Sequence, residues 1–292
     1  MAEQNKTTPR QPLDLKTLNV KNKPRGVETS GSTRVKSAAV PNFEPPAELV
    51  ALPSHGLLYK DDTKDEDVLS GQISVRPMTH TEEKILTTSR LIKSGQALDM
   101  VYKNCIKSAI DPLDLLSTDR LFLMFWLRGI SYGHNYTFSM RCPECDKSFK
   151  WTVDISKHPV KEITEELEEP IAIKLPRSGA TVYYYLSRGR VEKKLREMRD
   201  KQLVSALAID DTTTRRMILL TDRIITPEGE ELKKNKWEIF LDSLIGEDAA
   251  TIRDDMIEKD AGVEPIKDIE CPYCESSFDS NIPVTVDFFR VA

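Results

Sequence analysis

The sequence has little of what marks a membrane-spanning, secreted or disulfide-bonded protein. Its longest apolar run is seven residues, Leu121 to Leu127, whereas a bilayer-spanning helix needs about 20. The N-terminus has no apolar core typical of a signal peptide, so we expect no secretion. Five cysteines in 292 residues are too few for a disulfide scaffold. The composition therefore predicts an intracellular protein in a reducing compartment, with no membrane contact.

Sequence signatures of catalysis and of phosphate binding are also missing. The chain has no Gly-rich phosphate loop, no G-x-S-x-G and no H-E-x-x-H motif. With 42 basic and 47 acidic residues its formal charge is −5, which is unlike a basic nucleic-acid-binding protein. The sequence thus offers no catalytic motif of these kinds, and we name no catalytic residues. The length predicts one or two domains with a core of their own.

Residues 1–46 differ from the rest of the chain. They contain one aromatic residue, Phe43, and eight basic against four acidic residues. Such a segment buries too little apolar surface to offset the entropy lost on ordering. Two interpretations stay open: a disordered leader, or an extended basic arm that orders by wrapping an acidic partner or a phosphate backbone.

The hydrophobic periodicity predicts an α+β fold, with a mostly helical body and short β-hairpins. Residues 47–160 form the first predicted region, and residues 161–292 form a second region that opens with a hairpin. Helical spacing covers residues 80–93, 98–110, 121–127, 189–201, 212–225, 234–244 and 248–259. Alternating apolar residues predict strands near residues 73–75, 136–140, 171–175 and 182–186, and again in the last 25 residues, which end in Val284, Val286, Phe288 and Phe289.

Four of the five cysteines form two C-x-x-C hooks. These are Cys142-Pro-Glu-Cys145 and Cys271-Pro-Tyr-Cys274. Two residues between cysteines allow both thiolates to face one metal ion, and two such hooks supply the four sulfurs of a tetrahedral structural zinc site. In each hook a Phe follows the second Cys by four residues and opens a predicted strand that ends in Val-Asp, at Val153-Asp154 and at Val286-Asp287. The sequence thus predicts a pair of zinc-knuckle hairpins that share one zinc per chain.

The hooks lie much further apart in sequence than the roughly 15–20 residues of a standard zinc ribbon. A shared site therefore requires the C-terminus to fold back onto the middle of the chain. Cys-Pro-Tyr-Cys is also a redox motif, and a thiol oxidoreductase is an alternative. Acidic neighbours at Asp268, Glu270 and Glu275 should raise the pKa of the thiols there, which argues against that alternative. We expect Cys105, alone at an apolar helical position, to be a buried small hydrophobe.

Three other features each allow a functional and a structural interpretation. His134 precedes Cys142 by eight residues, so it could lie near a metal. We favour the alternative, in which His134 lies in a turn. The basic segment Arg188–Lys201 allows two interpretations. Its Arg196, Arg199 and Lys201 could bind phosphate, or the segment forms a solvated helix face, which we favour. The loop from Ser54 to Tyr59 packs Tyr59 on the core, as we favour, or offers an interaction surface.

Several short motifs, in this order, give the chain a family resemblance. The N-terminal ones are Leu52-Pro53-Ser54-His55-Gly56-Leu57-Leu58-Tyr59 and Val75-Arg76-Pro77-Met78-Thr79. The later ones are Asp119-Arg120-Leu121, Arg128-Gly129-Ile130-Ser131-Tyr132-Gly133, the two hooks and Asp287-Phe288-Phe289. Over about residues 47–289 the sequence resembles the T4-type bacteriophage baseplate hub protein family of contractile-tailed phages.

The resemblance implies a non-enzymatic structural or assembly role in the baseplate hub. It implies contacts with other baseplate or hub proteins or with the tape-measure protein, in the host cytoplasm during assembly or in the tail baseplate of the virion. A zinc-containing nucleic-acid-binding module is the alternative function. The acidic surroundings of the hooks argue against phosphate contact there.

Overall fold

The computed structural model describes residues 43–60, 63–163, 167–202 and 212–289. The described residues from 44 onward belong to one compact unit. The predicted basic arm, residues 1–46, therefore lies outside the described residues except for positions 43–46. The predicted boundary between residues 160 and 161 stays a prediction.

Short antiparallel strands and helices alternate along the chain, which confirms the predicted α+β class. The strands are β1 (Glu48–Ala51), β2 (Gln72–Val75), β3 (Asn135–Arg141), β4 (Ser148–Asp154), β5 (Val160–Lys161), β6 (Ile171–Lys174), β7 (Thr181–Tyr184), β8 (Thr221–Ile225), β9 (Gly262–Val263), β10 (Ile266–Glu270) and β11 (Ser277–Ser280). The helices are α1 (Glu66–Leu69), α2 (His80–Thr87), α3 (Ser89–Lys93), α4 (Gln96–Cys105), α5 (Ser117–Tyr132), α6 (Gly189–Gln202), α7 (Thr212–Leu220), α8 (Trp237–Asp242) and α9 (Gly246–Lys259). Short 3-10 helices span Lys234–Lys236 and Val286–Phe289. Within these ranges no helix has both the length and the apolar character that a membrane crossing requires.

Helix α5 is the central element of the first half. Its apolar run buries Leu123 and Leu127 almost completely, as a helix with no polar face requires. The helix is longer than the run of residues 121–127 suggested, because it begins at Ser117 and continues through Gly129 to Tyr132. Gly133 then ends it at a φ of +93°.

The start of helix α2 agrees with the sequence in detail. Thr79 and Glu82 form a capping box. The side chain of Thr79 accepts the backbone N–H of Glu82, and the side chain of Glu82 accepts the backbone N–H of Thr79. Glu82 also pairs with Arg76 at 3.0 Å. Burial opposes ionisation of Glu82, but Arg76, Thr79 and Asn104 outweigh it and lower its pKa to about 2.

The predicted hairpin after residue 170 is confirmed and extended. Strands β6 and β7 pair with Ile171 opposite Tyr184 and Ile173 opposite Val182. Strand β8 pairs with the other edge of β7, with Ile224 opposite Val182. All five side chains are buried, so this three-stranded sheet forms the core of the second half.

Four predicted boundaries are wrong. The helix predicted over residues 212–225 ends at Leu220, and residues 221–225 form β8 because they pair with β7. The helix predicted over residues 80–93 breaks at Thr88, and the one predicted over 98–110 ends at Cys105. The C-terminal strand predicted to end in Val-Asp is absent from the described residues 281–289, because β11 stops at Ser280 and a 3-10 helix follows.

Candidate metal centre

Each C-x-x-C hook occupies the turn of a β-hairpin. The first hook lies between β3 and β4, and the second lies between β10 and β11. The two strand pairs are antiparallel, and their ends bring the two cysteines of each hook into one tight turn. The hooks therefore have equivalent positions in two separate hairpins.

The backbone of the two turns is the same. In each turn the first cysteine donates its N–H to the carbonyl five residues later and accepts an N–H from the residue four positions later. The residue at that fourth position, Asp146 or Glu275, has a positive φ of 63° or 60°. The four bonds are Cys142 N to Lys147 O at 3.0 Å, Asp146 N to Cys142 O at 3.0 Å, Cys271 N to Ser276 O at 2.9 Å and Glu275 N to Cys271 O at 2.9 Å. The parallel in sequence is thus a parallel in conformation.

The four sulfurs of Cys142, Cys145, Cys271 and Cys274 come together. Their Sγ atoms all lie within 4.8 Å of one another. Two of the sulfur pairs join opposite hooks at short distances: Cys142 to Cys274 at 3.7 Å and Cys145 to Cys271 at 3.6 Å. A tetrahedral zinc with Zn–S bonds of about 2.3 Å separates its sulfurs by about 3.8 Å. The cysteines are free thiols, and their spacing fits a metal site rather than a disulfide.

Hydrogen bonds within and between the turns favour the thiolate form at two of these positions. The N–H of Cys145 and the hydroxyl of Ser276 lower the pKa of Cys142 to about 6. The hydroxyl and the N–H of Ser276 lower the pKa of Cys274 as well. Thiolates are the form that binds zinc, and one of these two comes from each hook.

Cys145 behaves differently. The N–H of Lys147 lowers its pKa, but burial and the three neighbouring thiols outweigh that bond and raise its pKa to about 12. Adding a third or fourth negative charge within 4.8 Å of the others is costly without a cation. A divalent metal ion removes that cost, so the arrangement suits a bound cation.

The expectation that acidic neighbours raise the thiol pKa in the second hook is wrong for Cys274. Its pKa is lowered because Ser276, which the sequence analysis missed, provides hydrogen bonds at close range. The lowered pKa of Cys274 does not support a redox function. Strand β11, not a helix, follows the second hook, and a helix N-terminus is what stabilises the thiolate of a redox C-x-x-C motif.

Aromatic contacts join the C-terminal segment to the middle of the chain beside the sulfurs. The rings of Phe149 and Phe278, which hold equivalent positions in the two hairpins, meet edge to face at 6.4 Å. Further on, Phe288 packs against Phe125 at 5.1 Å and against Tyr136 at 4.9 Å. The cysteine cluster is therefore one end of a longer contact between two distant stretches of sequence.

The remaining candidate residues lie elsewhere. Cys105 is fully buried, as predicted, and burial raises its pKa to about 12. His134 lies against Gly129 in a small cavity lined by aromatic rings. Within the described residues the groups that could hold a metal comprise only the four cysteines. Tyr59 is buried, as predicted for the loop that precedes it.

The arginines of helix α6 bind carboxylates of this chain. Arg196 pairs with Asp99 at 2.7 Å, and Arg190 pairs with Asp111 at 3.1 Å and also with Asp114. Arg199 is exposed, and the side chain of Lys201 lies outside the described part of the structure. These ion pairs reduce the charge that the helix could offer to phosphate, which favours the interpretation as a structural face.

The fold and the cysteine cluster define a class: an α+β protein in which four thiols of two hairpins meet at one point, as in proteins with a structural metal. The model of a protein family described as T4 bacteriophage base plate protein matches residues 60–290. The chain belongs to this family. Comparison with curated proteins and with solved structures gave no match.

Proposed function

We propose that the protein is a non-enzymatic structural or assembly component of the baseplate hub of a contractile-tailed phage, held together by one zinc ion per chain. The family match over residues 60–290 carries the baseplate role. The hub is the finer part of the proposal and is supported by the order of motifs from Leu52 to Phe289. The cluster of four sulfurs supports the zinc.

The proposed ligands of the zinc are Cys142, Cys145, Cys271 and Cys274. A zinc ion there supplies four metal–sulfur bonds and no reaction, because four protein ligands leave no open position for a substrate. The hooks position the thiolates through their turns, and the bound ion ties β10–β11 to β3–β4. Structural zinc in small peptides binds with about 10–16 kcal/mol, so this connection is strong.

The proposed partners are other baseplate or hub proteins and the tape-measure protein. Assembly takes place in the host cytoplasm, and the assembled protein belongs to the tail baseplate of the virion. The basic residues at positions 1–46 and the hairpin of β6 and β7 are the contacts that we propose for these partners.

The test of the baseplate role is to purify the tagged full-length chain from phage-infected cells and to identify the proteins that accompany it. We expect baseplate and hub proteins in about fixed proportion to the chain. The Cys271→Ser variant, which loses one proposed zinc ligand, should bring down less of them. The matched control is Cys105→Ala, which changes the one cysteine outside the cluster. Absence of tail proteins from the wild-type sample would contradict the proposed role.

A further inference from the structure

One hydroxyl lies between sulfurs of the two different hooks. The Oγ atom of Ser276 is 3.3 Å from the Sγ atom of Cys142 and 3.1 Å from that of Cys274. Cys142 is completely buried, whereas Cys274 is exposed. Ser276 therefore contacts a sulfur from the buried side of the cluster and a sulfur from its open side.

The equivalent residue of the first hook provides a comparison within the same chain. Lys147 follows Cys142 by five residues, as Ser276 follows Cys271, and both backbone carbonyls accept the N–H of the first cysteine. The two side chains also both reach the opposite hook. The Nζ atom of Lys147 lies 4.9 Å from the ring centre of Tyr273, whereas Ser276 reaches a sulfur.

A hydroxyl in this place acts on the sulfurs in two ways. It restrains where each Sγ atom lies, and it donates to a thiolate, which withdraws electron density that the sulfur would otherwise share with a metal. Groups that bind metal ligands from outside orient those ligands and tune the metal, and their removal typically lowers metal affinity by about 10–100-fold.

We propose that Ser276 is a positioning residue of the metal centre, whose hydroxyl lies between Cys142 and Cys274 and, by donating its one proton to either sulfur, sets how strongly that sulfur donates to the ion. This inference rests on the proposed function, since it requires a metal at the four cysteines. It makes the centre asymmetric, because within the described residues Cys145 and Cys271 have no hydroxyl contact of this kind. The sulfur that receives the hydroxyl proton, Cys142 or Cys274, donates more weakly to the metal than it would without that bond.

The test uses the full-length protein loaded with Co²⁺ as a visible probe of the sulfur ligands. The variants are Ser276→Ala, which removes the hydroxyl, Ser276→Thr, which keeps it, and Lys147→Ala, which removes the contact with Tyr273. Two quantities are measured: the energy of the sulfur-to-cobalt charge-transfer band and the Co²⁺ affinity in competition with a chelator.

We expect Ser276→Ala to shift the charge-transfer band to lower energy, because a sulfur without the hydrogen bond gives up electron density more easily. Its Co²⁺ affinity should fall by about 10-fold. Ser276→Thr should restore the band and most of the affinity. Lys147→Ala should leave the band unchanged, even if a looser contact between the hooks weakens binding.

The outcomes separate this inference from the proposed function. If the wild-type protein binds one Co²⁺ and Ser276→Ala has the same band and affinity, Ser276 has no positioning role, although the metal centre stands. If Ser276→Ala and Lys147→Ala weaken binding equally with unchanged bands, the serine is only structural and the inference is wrong. If the wild-type protein binds no Co²⁺ at these cysteines, the metal centre itself is wrong.

Discussion

At the scale of single residues, a buried carboxylate organises the first half of the molecule. Asp119 is fully buried and accepts hydrogen bonds from the Ser54 hydroxyl at 2.5 Å and from the Tyr59 hydroxyl at 2.6 Å. The Tyr59 oxygen in turn accepts the N–H of Leu116 at 2.8 Å. Burial raises the pKa of Asp119. Each member of this network satisfies another, so loss of one group leaves a buried polar partner unsatisfied.

The Tyr59→Phe variant tests this network. It removes one hydroxyl and leaves the N–H of Leu116 without its partner, so we expect a loss of about 1–3 kcal/mol in the free energy of unfolding. The control is Tyr185→Phe, because the Tyr185 hydroxyl makes a longer bond of 3.4 Å to Asp222 at an exposed position. Urea unfolding measures both. Equal losses in the two variants would mean that the buried network contributes no more to the free energy of unfolding than one exposed hydrogen bond.

Asp260 is a second carboxylate whose burial raises its pKa, to about 6, and the nearby Asp119 adds to the effect. Thr118 and the N–H of Ala261 donate to its Oδ1 atom at 2.9 and 3.0 Å and partly offset that rise. The nearby Lys161 also opposes it. The folded protein therefore keeps a proton that the unfolded chain releases near its ordinary pKa of 3.8. The stability that this group supports is complete below about pH 4 and falls as the pH rises to about 6.

The Asp260→Asn variant should remove this pH dependence. A shift from 3.8 to about 6 corresponds to about 3 kcal/mol, so the variant should gain up to about that amount on the wild type between pH 4 and pH 7. Unfolding free energies of both proteins at pH 4, 5, 6 and 7 give the difference directly. A difference that does not change with pH would contradict the raised pKa.

At the scale of elements, the loop before Tyr59 packs its backbone directly against the last turn of α1. Gly56 has a φ of +72°, and a Cβ atom there would lie 2.2 Å from the carbonyl oxygen of Val68. Backbone atoms cannot turn away as side chains can, so a side chain at this position must separate the two segments. This close approach explains why glycine stands here.

The Gly56→Ala variant is expected to lose about 3 kcal/mol or more of unfolding free energy. The left-handed backbone alone accounts for about 1–2 kcal/mol, and the collision with Val68 adds to it. Gly229→Ala is the matched control, since Gly229 has a φ of +85° with nothing within 4 Å of the added Cβ. Thermal or urea unfolding separates the two contributions. If Gly56→Ala loses no more than Gly229→Ala, the packing argument fails.

The sequence predicted those elements best whose signals are local. The capping box at Thr79 and Glu82 and the alternation in β3 depend on neighbouring residues and are confirmed. Strand β8 was missed because Met217, Leu220 and Ile224 fall at helical spacing, and only the pairing of residues 221–225 with β7 shows that the helix has ended. The 3-10 helix that ends at Phe289 depends on a distant contact between Phe288 and Phe125, which no local pattern shows.

The meeting of the four cysteines could be predicted, but their surroundings could not. Two C-x-x-C hooks pointed to one cluster because paired cysteines with two residues between them have few other uses in such a chain. The contact of Ser276 with both hooks could not be predicted, since it depends on how the hairpins pack. Its only sequence signal is a hydroxyl residue two positions after the last cysteine of the second hook.

At the scale of the whole molecule, two sets of contacts hold the C-terminal segment on the middle of the chain. The cysteine cluster joins the turns of the two hairpins, and the ring of Phe288 packs on Phe125 and Tyr136. The Tyr136 hydroxyl also donates to the carbonyl of Pro283 at 3.2 Å. Removing the metal should therefore loosen the β10–β11 hairpin most, because the aromatic contacts lie further along the chain.

Hydrogen exchange with and without a zinc chelator tests which part of the C-terminal segment depends most on the metal. We expect faster amide exchange in residues 266–280 after chelation and smaller changes around Phe288. Strands β6, β7 and β8 should exchange as before, because they form the core of a different part of the fold. Unchanged exchange at 266–280 in protein shown to be free of metal would mean that the ion does not hold this hairpin.

The most direct test of the whole account is the zinc content of the full-length protein purified without chelator. The account predicts about one zinc per chain for the wild type and for Cys105→Ala, and a large loss of zinc in Cys271→Ser. Fewer than about 0.3 zinc ions per chain in the wild type, or equal zinc in Cys271→Ser, would contradict a structural zinc at the four cysteines.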